Sequence, residues 1–396
     1  MLSIHSSPVG ELGTRDTGGM SVYIRELAKT LGNWGHRVDI FTGRNDGKKD
    51  PVFDVYDNVR IIYLAGGANG NVKKSSLYEH LPQFYLDLES FRNREKITYD
   101  IIHSHYWLSG VLGAEARLSW KVCLIHTYHT IGAVKNQVCQ EEREPEVRLS
   151  NEERLGKQSD LLIVPTEKER DYLARFYETP RKKIRVVPCG VNFERFKPVD
   201  KIVARRKLGL RPEDRVVLYV GRHTPVKGLD RLIEAFSHLT HHPHLRLVMV
   251  GGDGETAPEF QQIAFRAKAL NIQKNLTFSG TIDQKSLPLY YSAADVLAVP
   301  SHYEIFGLVA LEALACGTPV VTTPVGDLEN IVQDGITGCV VVDPDPKPFA
   351  ECIEIVLTKQ QINGFSPERI RASVSGFTWE AAASKTLEAY RAAIRR

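Results

Sequence analysis

The chain has 396 residues, of which 42% are hydrophobic and 25% charged, values that are ordinary for a globular protein and exclude disordered and fibrous classes. Its 51 basic and 48 acidic residues give a formal net charge of +3, so no broad basic field is available and no nucleic-acid partner is predicted. The length favours two domains, and no apolar run is long enough for a membrane span.

Six cysteines are scattered without a Cys-x-x-Cys pair, and we interpret them as reduced, mostly buried thiols of a cytoplasmic protein. The N-terminus has no basic flank ahead of an apolar core, so it does not have the pattern of a signal peptide. Because the chain begins inside an apparent strand, a native start upstream of Met1 stays open.

Short runs of Val, Ile and Leu alternate with amphipathic stretches along the chain. The predicted strands are, in chain order, 2–5, 38–41, 101–103, 122–126, 161–164, 216–220, 245–250, 296–299 and 320–321. Runs that are apolar on both faces are typical of a buried parallel sheet. Between them apolar residues recur at helical spacing, as from Met20 to Leu31 and from Leu229 to Phe236. This alternation predicts α/β doubly wound units.

A break in the periodicity falls at 188–198, where turn residues cluster. We therefore predict an N-terminal Rossmann-like domain over 1–190 and a C-terminal Rossmann-like domain over 191–377. A final helix is predicted over 378–396, with Thr378 as its N-cap.

The stretch 220–228 follows a predicted strand and precedes a predicted helix, so it lies at the carboxyl edge of a sheet, where ligands of open α/β folds bind. Arg222 can hold two phosphate oxygens at once and Lys227 adds a mobile point charge, so together they suit a diphosphate. Taken alone, two such residues more often belong to a solvated basic loop.

A second stretch, 300–313, joins a predicted strand to a helix that begins at about Phe306 or Gly307. The first-turn amides of such a helix form an anion site, and Gly307 allows close approach to the backbone. Glu304 stands just before the helix and Glu312 within it, and each carboxylate can accept hydrogen bonds from a diol. The alternatives are a first-turn helix acid for Glu304 and a buried ion pair for Glu312.

The run 300–320 reads P-S-x-x-E-x-F-G-L-x-x-x-E-A-x-A-x-G-x-P-V, and with the stretch 221–228 it resembles the retaining family 4 glycosyltransferases. The resemblance implies a GT-B fold, in which two Rossmann-like domains face a central cleft, and a UDP-sugar donor. It also implies that the C-terminal helix, 378–396, crosses back to the N-terminal domain. The implied donor contacts are Arg222 and Lys227 at the diphosphate, Glu304 with the amides of Phe306, Gly307 and Leu308 at the transferred sugar, Glu312 at the ribose and Ile282 near the uracil.

The first half resembles a narrower subgroup through the runs 18–20, 103–110, 126–130 and 134–136. These runs are similar to D-inositol-3-phosphate glycosyltransferases of mycothiol synthesis, with sucrose-phosphate synthases as close neighbours. Members of both groups pass a sugar from a UDP-sugar to a small phosphorylated acceptor.

The resemblance also assigns residues in the first half. It places Gly19 near the reacting phosphate and His129 against the transferred sugar, and it assigns the acceptor phosphate to Lys74, Tyr106, Thr130 and Arg148. Arg154 competes with Arg148 for this role, and Lys135 fits either an acceptor contact or a surface lysine. The implied catalytic residues are His129, Arg222, Lys227 and Glu304.

Retaining members react on one face of the sugar, so the protein has to stabilise the leaving diphosphate and position the two substrates. On this basis the UDP-sugar is a co-substrate, and no metal or other cofactor is required. We interpret Asp343-Pro344-Asp345 as a turn rather than a metal motif, and the histidines in 238–244 as a solvated helix end without carboxylate partners.

Other functions stay open. A sucrose-phosphate synthase type of transfer, from UDP-glucose to fructose 6-phosphate, fits the same residues. A sugar-nucleotide epimerase on the same fold would need no acceptor, and a sensor would bind the donor without consuming it. The missing glycine fingerprint disfavours a NAD dehydrogenase. The donor sugar, the acceptor and the oligomeric state, including a homodimer, are not determined by the sequence.

Overall fold

A computed structural model describes residues 1–9, 18–43, 52–66, 76–139, 143–252, 254, 256–361 and 364–395. The chain divides into two compact units, one formed by described residues up to Pro188 together with Trp379 onward, and the other by Cys189–Thr378. Both are α/β units with mainly parallel sheets, which confirms the predicted fold class. Every helix in the described part of the chain is too short or too polar to span a lipid bilayer.

The first unit has two groups of strands. The strands are β1 (Val38–Gly43), β2 (Val52–Tyr56), β3 (Val59–Leu64), β4 (Ile101–His105), β5 (Cys123–Thr127), β6 (Leu161–Val164) and β7 (Ile184–Val186). They form the orders β1-β3-β2 and β4-β5-β6-β7, and only the β2–β3 pair is antiparallel among the described pairs. Leu2 makes parallel bridges to Phe41 in β1 and Ser104 in β4, so the N-terminal segment connects the two groups.

Helices cover this sheet through apolar faces. They are α1 (Gly19–Asn33), α2 (Leu81–Glu95), α3 (Trp107–Trp120), α4 (Gly132–Val138), α5 (Glu146–Gln158) and α6 (Glu167–Phe176). Helix α1 begins at the Gly18-Gly19 pair, as predicted, and buries Ile24, Leu27 and Leu31 at the spacing of one helix face.

The second unit contains a single parallel sheet. Its strands are β8 (Arg215–Val220), β9 (Leu245–Val250), β10 (Leu276–Phe278), β11 (Val296–Val299), β12 (Val320–Thr322) and β13 (Gly338–Val340). The strand order is β10-β9-β8-β11-β12-β13, so the chain moves outward from β8 in one direction and then returns beside β8 as β11. This reversal between β8 and β11 is the topological switch point at which open α/β sheets bind ligands.

The helices of the second unit precede, connect and follow these strands. They are α7 (Lys201–Lys207), α8 (Leu229–Ser237), α9 (Pro258–Ala269), α10 (Leu287–Ala293), α11 (Leu308–Ala315), α12 (Leu328–Ile331), α13 (Pro346–Gln361) and α14 (Pro367–Ser373). The last helix, α15 (Trp379–Ile394), belongs to the first unit and packs against α1, β5 and β6. Its Tyr390 hydroxyl lies 2.6 Å from His103 Nδ1.

Two sequence interpretations need correction. The predicted strand 2–5 is one bridging position at Leu2, because the segment hydrogen-bonds to β1 and β4 over a very short length. The cysteines are not all free thiols, since Cys339 on β13 and Cys352 on α13 form a disulfide with their Cα atoms 6.0 Å apart. Residues 13 positions apart in sequence are brought within bridging distance because α13 packs on β13.

Candidate functional site

Two loops of the second unit flank its switch point. Residues 221–228 follow β8, and residues 300–307 follow β11. Because both strands run parallel, their carboxyl ends meet at one sheet edge, and the predicted donor residues lie there.

Lys227 and Glu304 form the centre of this edge. Lys227 Nζ lies 2.6 Å from Glu304 Oε1, and Ser301 Oγ donates to the same oxygen at 2.9 Å. Both charged side chains keep part of their surface in solvent, 21% for Lys227 and 12% for Glu304. An ammonium has three donors, so a lysine that binds one carboxylate oxygen still has donors for a phosphate.

Gly228 is the reason that the two loops approach each other so closely. It has a left-handed backbone with φ of +65°, and a Cβ at this position would lie 2.1 Å from the carbonyl oxygen of Pro300. Arg231 on α8 donates to that same carbonyl at 3.0 Å and is itself buried. The loop that carries Glu304 is therefore held against the loop that carries Lys227 by backbone packing.

Arg222 lies two residues after the end of β8, in the loop that also carries Lys227. Its carbonyl oxygen accepts a hydrogen bond from the Tyr219 hydroxyl at 2.7 Å. Burial raises the pKa of Tyr219, with the Glu304 charge adding to the rise and the Arg222 charge opposing it. Tyr219 therefore stays a neutral phenol.

Helix α11 carries the other predicted donor residues. It begins at Leu308, one or two residues later than predicted, with Gly307 as its N-cap at φ of +104°. The N–H groups of the first turn have no intrahelical acceptor, as at any helix start. Phe306 is buried and Leu308 is half-buried.

Glu312 lies deeper on the same helix and is 6% exposed. The Tyr291 hydroxyl donates to its Oε2 at 2.8 Å, and Gln284 Nε2 donates to its Oε1 at 3.3 Å. Ile282 is half-buried in the segment after β10, on the same sheet edge but two strands away from β8.

In the first unit, two predicted residues have unusual backbone conformations. Tyr106 follows β4 with φ of +73° and ψ of +155°, and His129 follows β5 with φ of +58°. Positive φ is uncommon outside glycine and is strained for an aromatic residue, and such residues cluster at functional sites. Neither the residue types nor their spacing in the sequence indicated this strain.

Arg148 brings together three of the four predicted acceptor residues. Its Nη1 donates to the Tyr106 hydroxyl at 3.1 Å, and its Nη2 donates to Thr130 Oγ1 at 2.7 Å and to the Thr130 carbonyl at 3.0 Å. Its Cζ lies 4.8 Å from the centre of the Tyr106 ring. Arg154, the competing candidate, is exposed on α5, and Lys74 lies outside the described residues.

Two acidic residues that the sequence analysis did not assign hold Arg148 in place. Glu152 is fully buried and its Oε1 lies 2.6 Å from Arg148 Nε, and Glu144 Oε2 lies 2.8 Å from Arg148 Nη1. The charges of both carboxylates raise the pKa of Arg148 against the opposing effect of burial, so the guanidinium stays charged. Each carboxylate lies four positions from Arg148 in the sequence, and this spacing could have indicated the two ion pairs.

His129 is paired with a second histidine. Its Nε2 lies 2.9 Å from Nδ1 of His105, the last residue of β4. Burial lowers the pKa of His129 to about 3, with the charge of His126 as a smaller cause, and burial also holds the pKa of His105 well below its usual value. The pair is therefore neutral at neutral pH. Gly19, the remaining predicted residue, is the first residue of α1.

The histidine tract has a carboxylate partner, contrary to expectation. His241 Nε2 and His242 Nε2 lie 3.5 and 3.3 Å from Glu354 Oε1, because α13 packs against α8. However, His242 Nδ1 lies 2.6 Å from Arg215 Nη1, and a guanidinium next to the ring opposes binding of a cation. Asp345 N donates to Asp343 Oδ1 at 2.9 Å on an exposed segment, which is the pattern of a turn.

Comparison with known proteins identifies the family of the chain. The model for glycosyl transferases group 1 matches residues 200–372, and that for glycosyltransferase family 4 matches residues 17–195. D-inositol 3-phosphate glycosyltransferase of Geodermatophilus obscurus is 38% identical, over 99% of this chain and 88% of its own. The enzyme of the same name from Xylanimonas cellulosilytica is 35% identical, over 100% of this chain and 97% of its own.

The chain belongs to the glycosyltransferase family that includes these relatives. Sucrose-phosphate synthase from Thermosynechococcus elongatus is a similar solved structure, with 34% identity, a TM-score of 0.90 and coverage of 99% of this chain and 97% of that one. HepE of Anabaena, solved with UDP and glucose, has a TM-score of 0.76 at 19% identity over 99% and 98% of the two chains, and shows the fold alone. The predicted GT-B class and the resemblance to the two subgroups are confirmed.

Proposed function

We propose that this glycosyltransferase transfers a sugar, with retention of anomeric configuration, from a UDP-sugar to a small phosphorylated acceptor such as inositol phosphate or a sugar phosphate. The observation that carries the proposal is the meeting of Tyr106, Thr130 and Arg148 at the ends of neighbouring strands of one unit. A buried guanidinium beside two hydroxyl groups combines a fixed positive charge with groups that can hydrogen-bond a phosphate monoester. The names of the curated relatives support the same acceptor class.

The donor is assigned to the second unit. We assign Lys227 and Arg222 to stabilise the negative charge that develops on the leaving diphosphate. Glu304 and the amides of Phe306, Gly307 and Leu308 are assigned to the transferred sugar, Glu312 to the ribose and Ile282 to the base. In the first unit we assign Gly19 to the reacting phosphate and His129 to the transferred sugar. No metal or other cofactor is assigned a role.

The neutral state of His129 supports its assignment. A neutral imidazole can donate or accept a hydrogen bond at a sugar hydroxyl, and it adds no positive charge beside a carbon that develops positive charge in the transition state. With a diphosphate oxygen as proton acceptor, the acceptor hydroxyl needs no protein base. The chain's contribution is then charge stabilisation and positioning.

A sucrose-phosphate synthase type of transfer is the second candidate, because the similar solved structure at 34% identity carries that name. Both candidates predict a phosphorylated acceptor and differ in its carbon skeleton. The cytoplasm is the proposed location, since nucleotide sugars and phosphorylated acceptors are both charged metabolites.

A crossed panel tests the proposal. The full chain is incubated with nucleotide-linked glucose, N-acetylglucosamine and mannose, each with inositol phosphate, fructose 6-phosphate and the two unphosphorylated polyols. Products are identified by mass spectrometry, and their anomeric configuration by NMR. We expect transfer to one phosphorylated acceptor with retention. Conversion of the donor to an epimer without acceptor, or equal transfer to unphosphorylated polyols, would contradict the proposal.

A further inference from the structure

A carboxylate of the protein itself occupies the proposed acceptor cluster. Glu144 precedes α5, and its Oε2 lies 2.8 Å from Arg148 Nη1. Its Oε1 pairs with the Nζ atom of Lys135 in α4. Arg148 is 2% exposed, so the N–H groups that it donates to Tyr106 and Thr130 are enclosed in this cluster. The two cations that could bind a phosphate are thus already bound to one internal anion.

The position of Glu144 is set by its main chain as well as by its charge. Asn136 on α4 accepts a hydrogen bond from Glu144 N at 2.7 Å and donates one to the Glu144 carbonyl at 3.3 Å. These two bonds hold the backbone of residue 144 against α4. The carboxylate therefore reaches Lys135 and Arg148 from a backbone that is already in place, with few rotatable bonds left to order.

Of the two carboxylates that contact Arg148, only that of Glu144 is placed so that a phosphate could replace it. Glu152 is fully buried and also receives hydrogen bonds from Gly132 N and the Tyr177 hydroxyl, so removing it would leave several buried donors unpaired. Glu144 is 16% exposed, and its carboxylate is bound to Lys135 and Arg148, which are donors that a phosphate can use as well. Its displacement would leave no buried charge uncompensated if an anion replaced it.

We propose that Glu144 is a specificity-determining residue, which a phosphorylated acceptor displaces from Lys135 and Arg148 and which an unphosphorylated acceptor does not. The inference rests on the acceptor site of the proposed function. A phosphate monoester carries about −1.5 to −2 charges near neutral pH and three strong acceptor oxygens, against one charge and two oxygens for a carboxylate. A neutral hydroxyl cannot replace the carboxylate, so Glu144 selects against the wrong acceptor.

Phosphate binding to the full chain tests this role, with inorganic phosphate as the probe and saturating UDP to fill the donor site. We expect E144Q, which keeps the size of the side chain and removes its charge, to bind phosphate about ten-fold tighter than the wild type by calorimetry. E153Q is the matched control, because Glu153 pairs with Lys157 on the exposed face of α5. This variant should bind phosphate like the wild type. E144D keeps the charge on a shorter side chain and should give an intermediate affinity.

Turnover gives the second measurement. The rate of transfer to the unphosphorylated acceptor should rise in E144Q and stay unchanged in E153Q. Unchanged or weaker phosphate binding in both E144Q and E144D would overturn the role of Glu144. The variant R148M distinguishes a wrong role for Glu144 from a wrong acceptor site. If R148M binds phosphate as well as the wild type, the acceptor site of the proposed function is wrongly placed, whatever the result for E144Q.

Discussion

Lys227 Nζ lies 2.6 Å from Glu304 Oε1 although 77 positions separate the two residues in the chain. The contact exists because β8 and β11 are neighbours at the switch point of the second unit and because Gly228 lets their loops meet. It places a cation and a carboxylate at the edge where the proposed donor would bind.

Removing the Lys227 ammonium tests the proposed donor site. We expect Lys227→Ala to lower kcat by about 10²–10³-fold, the usual effect of losing one donor at a developing negative charge. Steady-state kinetics with the UDP-sugar measures this, and circular dichroism checks the fold. Lys207→Ala on the exposed side of α7 is the control and should leave kcat unchanged. A folded Lys227→Ala variant with normal kcat would exclude Lys227 from the site.

Two glycines have nearly the same backbone angle but different surroundings, so replacing each with alanine distinguishes the cost of backbone strain from that of lost close packing. Gly228 and Gly209 have φ of +65° and +69°, but a Cβ would meet the Pro300 carbonyl at Gly228 and nothing within 4 Å at Gly209. We expect Gly209→Ala to destabilise the protein by about 1 kcal/mol through strain alone, and Gly228→Ala by more. Gly228→Ala should also lower kcat, because it displaces the loop of Glu304. Urea unfolding and kinetics measure the two effects, and equal destabilisation by both variants would refute the packing argument.

The Tyr106 hydroxyl accepts from Arg148, so its loss should affect the acceptor side only. We expect Tyr106→Phe to raise the KM for the phosphorylated acceptor by about ten-fold, the effect of losing one hydrogen bond to a charged group, with the donor KM unchanged. Tyr85→Phe is the control, because the Tyr85 hydroxyl donates to Ser119 on the exposed surface. A rise in the donor KM instead would place Tyr106 in a different site.

Stability should fall on mild acidification, because buried histidines stay neutral in the folded protein. Burial lowers the pKa of His126 from 6.5 to about 3, so the unfolded chain binds more protons between these values. This contribution to stability is complete above about pH 6.5 and is lost as the pH falls toward 3. His103 and His105 shift in the same direction for the same reason.

Urea midpoints from pH 7 down to about pH 5 measure this dependence. His126→Gln should flatten the slope by about one proton, whereas His36→Gln, on an exposed turn, should leave it unchanged. A midpoint that does not change with pH would mean that these histidines bind protons in the folded protein as readily as in the unfolded chain.

Much of the fold was predictable from local pattern. The runs 161–164, 245–250 and 296–299 match β6, β9 and β11, because a strand that is apolar on both faces is a local property of the chain. Strands β7, β10 and β13 were missed, because each has three residues and partly exposed side chains. The strands β2 and β3 were missed as well, and the turn between them depends on Asn58 at φ of +59°.

The sequence by itself determined the α/β class, the two Rossmann-like units and the two loops that carry the proposed donor residues, because strand periodicity and glycine-rich turns are encoded by neighbouring residues. Only the tertiary structure decided that Arg148 rather than Arg154 meets Tyr106 and Thr130, that His105 pairs with His129, and that Glu144 occupies the cluster. Such contacts depend on strand order and on which face of a helix is buried. These are set by the packing of distant segments, which no local pattern contains.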